Sequence, residues 1–179
     1  MAHPKSGDPL LGAAKVVLVL FTIAVIFGMV MIGIGIAVLL SVGRGEVLTR
    51  MAAVDAPQIA YWGVIGAFLM LEGMLYLALR FIRELSGIVG SVGAGEPFDP
   101  QNADRLSRMA WITIAAEALA LPLAALTAWF KPYLARAGER VDVDFGLDGE
   151  TILLILILFI LARVFREGAR MRDELEGTV

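Results

Sequence analysis

The stretch VVLVLFTIAVIFGMVMIGIGIAVLL, residues 16–40, decides the fold: it is 25 residues long and carries no charge. About 20 apolar residues of helix cross a hydrocarbon layer roughly 30 Å thick. Inside that layer the backbone finds no water, and a helix satisfies its own N–H and C=O groups. Three further apolar stretches follow: Ile59–Leu79, Ala110–Trp129 and the shorter Ile152–Ala162. Hydrophobic residues make up 59% of the chain and mean hydropathy is +0.80, above a soluble domain of this size. The reading is an integral membrane protein.

Lys5 and Lys15 precede the first run in the manner of a signal peptide. A cleavable signal has an apolar region of about 7–15 residues, whereas this one has 25 and no small-residue cleavage site after it. A first transmembrane helix is the better reading. The fourth stretch is the odd one, because its uninterrupted apolar core runs only 11 residues. Extension back through Phe145 and Leu147 and forward through Val164 and Phe165 supplies the length. That extension places Asp148 and Glu150 near one interface and Arg163 near the other, where an arginine stem can snorkel.

The sequence therefore predicts an all-α, four-helix antiparallel membrane bundle forming a single membrane domain over residues 1–179. The spans fall at about 16–40, 59–79, 110–129 and 147–165. A cytoplasmic helical hairpin fills 80–109 and a cytoplasmic tail 166–179. Before span four, Val141, Val143 and Phe145 alternate with Asp142 and Asp144, predicting a short extracytoplasmic β-like segment.

Orientation follows from Lys and Arg counts. The N-terminal tail has Lys5 and Lys15, the second loop Arg80, Arg83, Arg105 and Arg108, and the C-terminal segment Arg163, Arg166, Arg170 and Arg172. The first loop has Arg44 and Arg50, and the third Lys131, Arg136 and Arg140. Ten against five puts both termini and the second loop in the cytoplasm. Tyr61, Trp62, Trp129 and Tyr133 then form an outer aromatic belt, with Trp111 at the inner interface.

In the second loop, helix two continues through Arg80–Val92, with Arg80 and Glu84 spaced i,i+4. Gly93, Gly95 and Pro97 break it. Asp99 followed by Pro100 is an N-cap and first-turn pair opening a new helix, with Asp104 and Arg108 on its flank.

Few residues offer chemistry. The absence of Cys excludes disulfides and thiolate or Cys-based metal sites. A net charge of −3 gives no global attraction to nucleic acid, and no direct nucleic-acid contact is expected. His3 is the only histidine, so no metal site is expected. No nucleophile motif or Ser/His/Asp set is visible, which leaves no catalytic residues, no enzyme activity and no cofactor to propose. Gly87, Gly90, Gly93 and Gly95 lack the preceding strand and the Lys-Ser/Thr pair of a phosphate loop. Glycines at 28, 33, 35, 63, 66 and 73 serve close helix packing.

Glu72 and Glu117 lie inside spans two and three. A charge at that depth costs about 2.5–3.5 kcal/mol on insertion scales, so such groups face a bundle interior or a wet cavity. Each lies eight residues from the inner end of its span, roughly 12 Å. Tyr76 at i+4 from Glu72 and Thr113 at i−4 from Glu117 are potential hydrogen-bond partners. The set reads either as a proton- or cation-responsive site or as a structural polar clasp between helices. Arg163, Arg166, Arg170 and Arg172 form a basic strip whose default partner is anionic membrane lipid. Interleaved Glu167, Asp173, Glu174 and Glu176 weaken it as a nucleic-acid binder.

Two segments carry a family resemblance. Gly95-Glu96-Pro97-Phe98-Asp99-Pro100-Gln101-Asn102 followed by Arg105-Leu106 resembles a "G-x-P-F…N…R-L" segment. Val164-Phe165-Arg166-Glu167-Gly168-Ala169-Arg170-Met171-Arg172-Asp173-Glu174-Leu175-Glu176 with Thr178-Val179 resembles an ending "F-x-x-G-x-x-L-x-x-D…L-T-V". Both are motifs of a bacterial four-helix membrane family, domain-of-unknown-function family 2975. Met171 stands where Leu is usual, and Gly177 interrupts the final run. The family has no assigned activity. Its members are often encoded beside a small helix-turn-helix regulator, which implies a bacterial inner-membrane protein whose cytoplasmic side holds a DNA-binding partner. Carried over, the contact residues are Glu96, Pro97, Phe98, Asn102, Arg105, Leu106, Phe165, Arg166, Gly168 and Arg170. The alternative for these residues is that the two motifs pack on each other, with Phe98 under the tail helix.

The expected function is a non-enzymatic membrane regulator or sensor that binds a protein partner on its cytoplasmic face. Two alternatives stay open: a small proton- or cation-coupled transporter using Glu72 and Glu117, and an accessory subunit of a larger membrane complex. Homo-oligomerisation stays open as well.

Overall fold

A computed structural model describes residues 9–138 and 149–176. Five α-helices account for nearly all of them: α1 (Pro9–Leu40), α2 (Arg44–Ala53), α3 (Ile59–Gly93), α4 (Pro100–Arg136) and α5 (Gly149–Glu176). Proline occupies the first position of α1 and α4, where its missing N–H has no partner to lose and its fixed φ suits a helix. Among the described residues there is no strand. The β-like segment expected at Val141, Val143 and Phe145 lies outside the described residues.

α1, α3 and α4 are long and apolar enough to cross a bilayer. The chain is a helical membrane protein by that measure. α3 has 35 residues and α4 has 37. At 1.5 Å per residue each exceeds about 50 Å, roughly 20 Å more than the hydrocarbon layer. α5 is one unbroken helix of 28 residues, but Glu150, Arg163 and Arg166 fall within its first eighteen and keep it outside the same measure. α4 continues through Pro122 and Pro132. Each proline withholds a donor from the carbonyl four residues back, at Ala118 and Ala128.

Between the first two apolar stretches, where the sequence analysis names no element, the structure forms α2. Glu46 and Arg50 bridge one turn of it, Nε to Oε1 at 2.9 Å. Its end is a Schellman motif: Ala56 N–H donates to Met51 O at 2.9 Å and Asp55 N–H to Ala52 O at 3.2 Å. Asp55 takes the left-handed position with φ 55°, which Asp tolerates better than most residues.

The helices form two compact units. One comprises the described parts of Met1–Val25, Ala78–Ile114 and Gly149–Val179; the other comprises Ile26–Leu77 and the described part of Ala115–Asp148. The first unit has a core of Leu106, Met109, Ala110, Leu158 and Ala162, wrapped by Phe81, Leu85, Ile88, Phe159 and Phe165. α4 and α5 run antiparallel there: Trp111 meets Phe159 edge-on at 5.9 Å and Asp104 meets Arg166 at 3.6 Å.

In the second unit, Gly28 and Gly35 of α1 lie against Leu75 and Phe68 of α3. The Tyr61 hydroxyl donates to Leu39 O at 2.8 Å. Gly63 and Gly73 of α3 face Phe130 and Leu119 of α4. Glycine lets the backbones approach closely, the form of attraction available where lipid is as apolar as the helices.

Candidate functional site

The turn between α3 and α4 is built by backbone chemistry the sequence announces. Gly95 takes φ 85°, the left-handed conformation that closes a Schellman motif at little steric cost. Glu96 N–H donates to Ser91 O at 3.0 Å, and Gly95 N–H to Val92 O at 3.0 Å. Pro97 keeps the chain from resuming helix. Asp99 Oδ1 then accepts from Gln101 N–H at 2.9 Å, the N-cap bond expected of Asp before Pro100.

Beneath this turn Asn102 is fully buried. Its Nδ2 donates to Ser91 Oγ at 2.7 Å and to Pro97 O at 3.0 Å. The Ser91 hydroxyl passes its own hydrogen to Ile88 O at 2.9 Å. Asn102 Oδ1 accepts from Arg105 NH1 at 2.9 Å. The same Arg105 nitrogen donates to Gly87 O at 3.0 Å, and NH2 reaches Gln101 Oε1 at 3.2 Å. A Cβ at Gly87 would stand 2.7 Å from Arg105 Nε, so the arginine lies directly on the α3 backbone. One amide thus ties the end of α3, the Pro97 turn and the start of α4, with its hydrogen-bonding capacity satisfied as a buried polar group requires.

The tail closes over the turn. The Phe98 and Phe165 rings lie 5.7 Å apart, and a Cβ at Gly168 would come within 2.7 Å of Phe98 Cδ1. The position is glycine because the ring occupies the space of a side chain. Arg108 pairs with Glu84 across α3 and α4 at 3.2 Å. Asp104, spaced in sequence to meet Arg108, meets Arg166 of α5 instead. Arg170 stays on its own helix, with Glu167 at 2.6 Å and Glu174 at 3.7 Å.

The ten motif residues therefore divide by burial. Asn102 and Leu106 are buried, and Arg105 is engaged by three acceptors; these three are scaffold. Phe165 and Gly168 are half-buried against Phe98. Glu96, Pro97, Arg166 and Arg170 are exposed, and Phe98 keeps 44% of its surface exposed. Sequence reasoning missed Ser91, Gly87 and Glu84 as partners on α3. Their signal was the i,i+4 spacing of small Gly87 and Ser91, which lets side chains from α4 lie close.

The intramembrane group is arranged differently. Glu72 shares a face of α3 with Phe68 and Leu75, the residues that meet α1. Its Oε2 is buried without a hydrogen-bond partner. Glu117 stands two residues from Leu119, the residue facing Gly73 of α3. Two residues are about 200° of helical rotation, so Glu117 lies on the other side of α4. The antiparallel register keeps the two acids within a turn of one level, with Glu117 turned away from the Gly73–Leu119 contact. The Thr113 hydroxyl donates to Met109 O at 3.0 Å, and Tyr76 is about half exposed.

Residues 44–179, which take in both motif segments, match the family model described as protein of unknown function DUF2975. The chain belongs to that family. α1 precedes the matched stretch. No curated protein and no solved structure matches the chain.

Proposed function

We propose that this DUF2975 protein is a non-enzymatic membrane regulator or sensor whose cytoplasmic face binds a protein partner, a small helix-turn-helix transcription regulator being the kind the family resemblance implies. In this reading the chain crosses the bacterial inner membrane four times, with α5 as the fourth span. The ten-to-five excess of Lys and Arg supports placing both termini and the α3–α4 turn inside.

The observation that carries the reading is the convergence of the two motif segments, some 70 residues apart, on one end of the first unit. Phe98 seats on Gly168 and Asp104 reaches Arg166. The outcome is a preformed surface edged by Glu96, Phe98, Arg166 and Arg170, with Asn102 and Arg105 holding it from beneath. Packing of the motifs on each other and docking of a partner are compatible, because different residues serve each. A rigid, composite surface binds with less ordering cost than a loose tail.

The test is pull-down from native membranes with the intact protein and two variants. Arg166→Ala removes a side chain 62% exposed whose ion pair is a surface one, worth about 0–1 kcal/mol, so it leaves the fold in place. Phe98→Ala removes part of the surface and part of the clasp. Loss of the partner in Arg166→Ala at unchanged melting temperature is expected; equal recovery in both variants overturns the reading.

One observation favours a second reading, a small proton- or cation-coupled transporter: the buried, unpartnered Oε2 of Glu72. An ionisable group inside the membrane is costly to keep without a role. Flux in proteoliposomes that survives Glu72→Gln and Glu117→Gln excludes it.

A further inference from the structure

A cavity of about 220 Å³ opens in the second unit, lined by Val47, Arg50 and Met51 of α2 with its C-cap Val54, Val64 of α3, and Phe130, Tyr133, Leu134 and Ala137 around the end of α4. α2 is an amphipathic helix whose Val47 and Met51, with the C-cap Val54, at i, i+4 and i+7, turn toward this space. It is held there from α4: Arg136 NH1 donates to Val54 O at 3.1 Å. The walls are almost entirely apolar, with Arg50 and Tyr133 contributing carbon surface. Arg50 lines the space with its stem, and its side chain is 79% exposed, which leaves the guanidinium accessible beside the apolar wall. Arg136, which is not part of the lining, lies over the Tyr133 ring at 5.6 Å while bonded to the carbonyl of Val54.

We propose that this cavity binds a single-chain monoanionic amphiphile, a free fatty acid of medium chain length, with its carboxylate at Arg50. Three features select that chemistry. An apolar cavity of about 150 Å³ takes a benzene, and the open space of about 220 Å³ here suits one short chain. The apolar wall rewards an apolar tail, and Met51 lets it adapt to a flexible one. Arg50 gives only Nε to Glu46 among the described residues. A guanidinium has five N–H donors, so its terminal nitrogens can receive a carboxylate without breaking that bond. Because the Arg50–Glu46 pair is well exposed, 79% and 67%, it competes weakly for the charge. This proposal rests on the second unit alone and does not depend on partner docking at the Pro97 turn.

The experiment uses the full-length protein in phosphatidylcholine nanodiscs and a photoreactive diazirine analogue of decanoate, with cross-links mapped by peptide mass spectrometry. Saturable labelling of Val47–Val54 and Phe130–Ala137 is expected, displaced by decanoate and at least tenfold less well by decanol. Arg50→Gln weakens labelling about tenfold, the loss of one charge-assisted contact. Val64→Trp fills the space and abolishes it. Should that variant fail to fold, Arg50→Gln and the decanol comparison decide. Labelling that rises without saturation, or that decanol and decanoate displace alike, overturns the proposal. So does displacement by phosphatidylglycerol in the disc but not by decanoate, which assigns the cavity to membrane lipid.

Discussion

Asn102 and Gly168 illustrate two ways in which one residue decides the local structure. Asn102 has an amide that Ser91, Pro97 O and Arg105 satisfy from three directions. Asn102→Leu removes the one amide at a fully buried position and takes a partner from Pro97 O and from the Arg105 guanidinium, a loss of about 1–3 kcal/mol. Thermal unfolding of the detergent-solubilised protein measures it as a lower melting temperature. Gly168 acts by the absence of a side chain. Gly168→Ala drives a methyl into the Phe98 ring; since that ring is partly exposed and can swing outward, the cost is near the lower end of overpacking, about 1 kcal/mol. In a Phe98→Ala background the same change is close to neutral, and that non-additivity in a double-mutant cycle is the signature of direct contact. Glycine at 168 and asparagine at 102 were legible as motif residues, but the sequence left open whether they bind a partner or pack. Their roles depend on Phe98 and Ser91, which meet them only after the chain has turned twice.

At the scale of elements, the helix ends were the most legible part of the chain. Gly95 and Asp99 stop one helix and start the next through bonds confined to a few residues, and local chemistry needs no tertiary context. Gly95→Ala meets no neighbouring atom, so its cost is the left-handed backbone alone, about 1–2 kcal/mol. Asp99→Ala removes the cap on Gln101 N–H and costs about 1 kcal/mol. Both losses are read from the unfolding midpoint of the intact protein in urea-tolerant detergent, and equal midpoints for Gly95→Ala and the parent contradict the strain argument. α2 was the element missed. Ten residues of low mean apolarity do not stand out beside long apolar runs, and their helical signal is a single i,i+4 pair, Glu46 and Arg50. Ion pairing between helices was also misjudged from spacing. Asp104 and Arg108 each find a partner on another helix.

At the scale of the whole molecule, orientation in the membrane is read by labelling from one side. The chain has no cysteine, so single substitutions to cysteine give a clean map. Glu96→Cys, in the α3–α4 turn, is expected to resist a membrane-impermeant maleimide added to intact cells and to react after permeabilisation. Thr49→Cys on α2 is expected to react from outside. The reverse pattern turns the motif surface away from any cytoplasmic partner and ends the regulatory reading. A fourth crossing by α5 makes a further, separate expectation: Glu150→Cys, at the opposite end of α5 from the Phe98–Gly168 contact, reacts from outside together with Thr49→Cys.

Solvent preference and local chain reversal are properties of composition and of a few adjacent residues, and the sequence determined both. A run of 25 uncharged apolar residues has one stable form in hydrocarbon, and Gly95-Glu96-Pro97-Phe98-Asp99-Pro100 has one way to end and restart a helix. Tertiary structure decided which motif residues are scaffold and which are surface, that Glu117 turns away from the Gly73–Leu119 contact, and that α2 roofs a cavity. Those outcomes depend on rotation and register between helices distant in the chain. Among residues that are almost all apolar, hydrophobic periodicity carries little information about either, and the packing of glycine against Leu, Phe and Arg side chains supplies it.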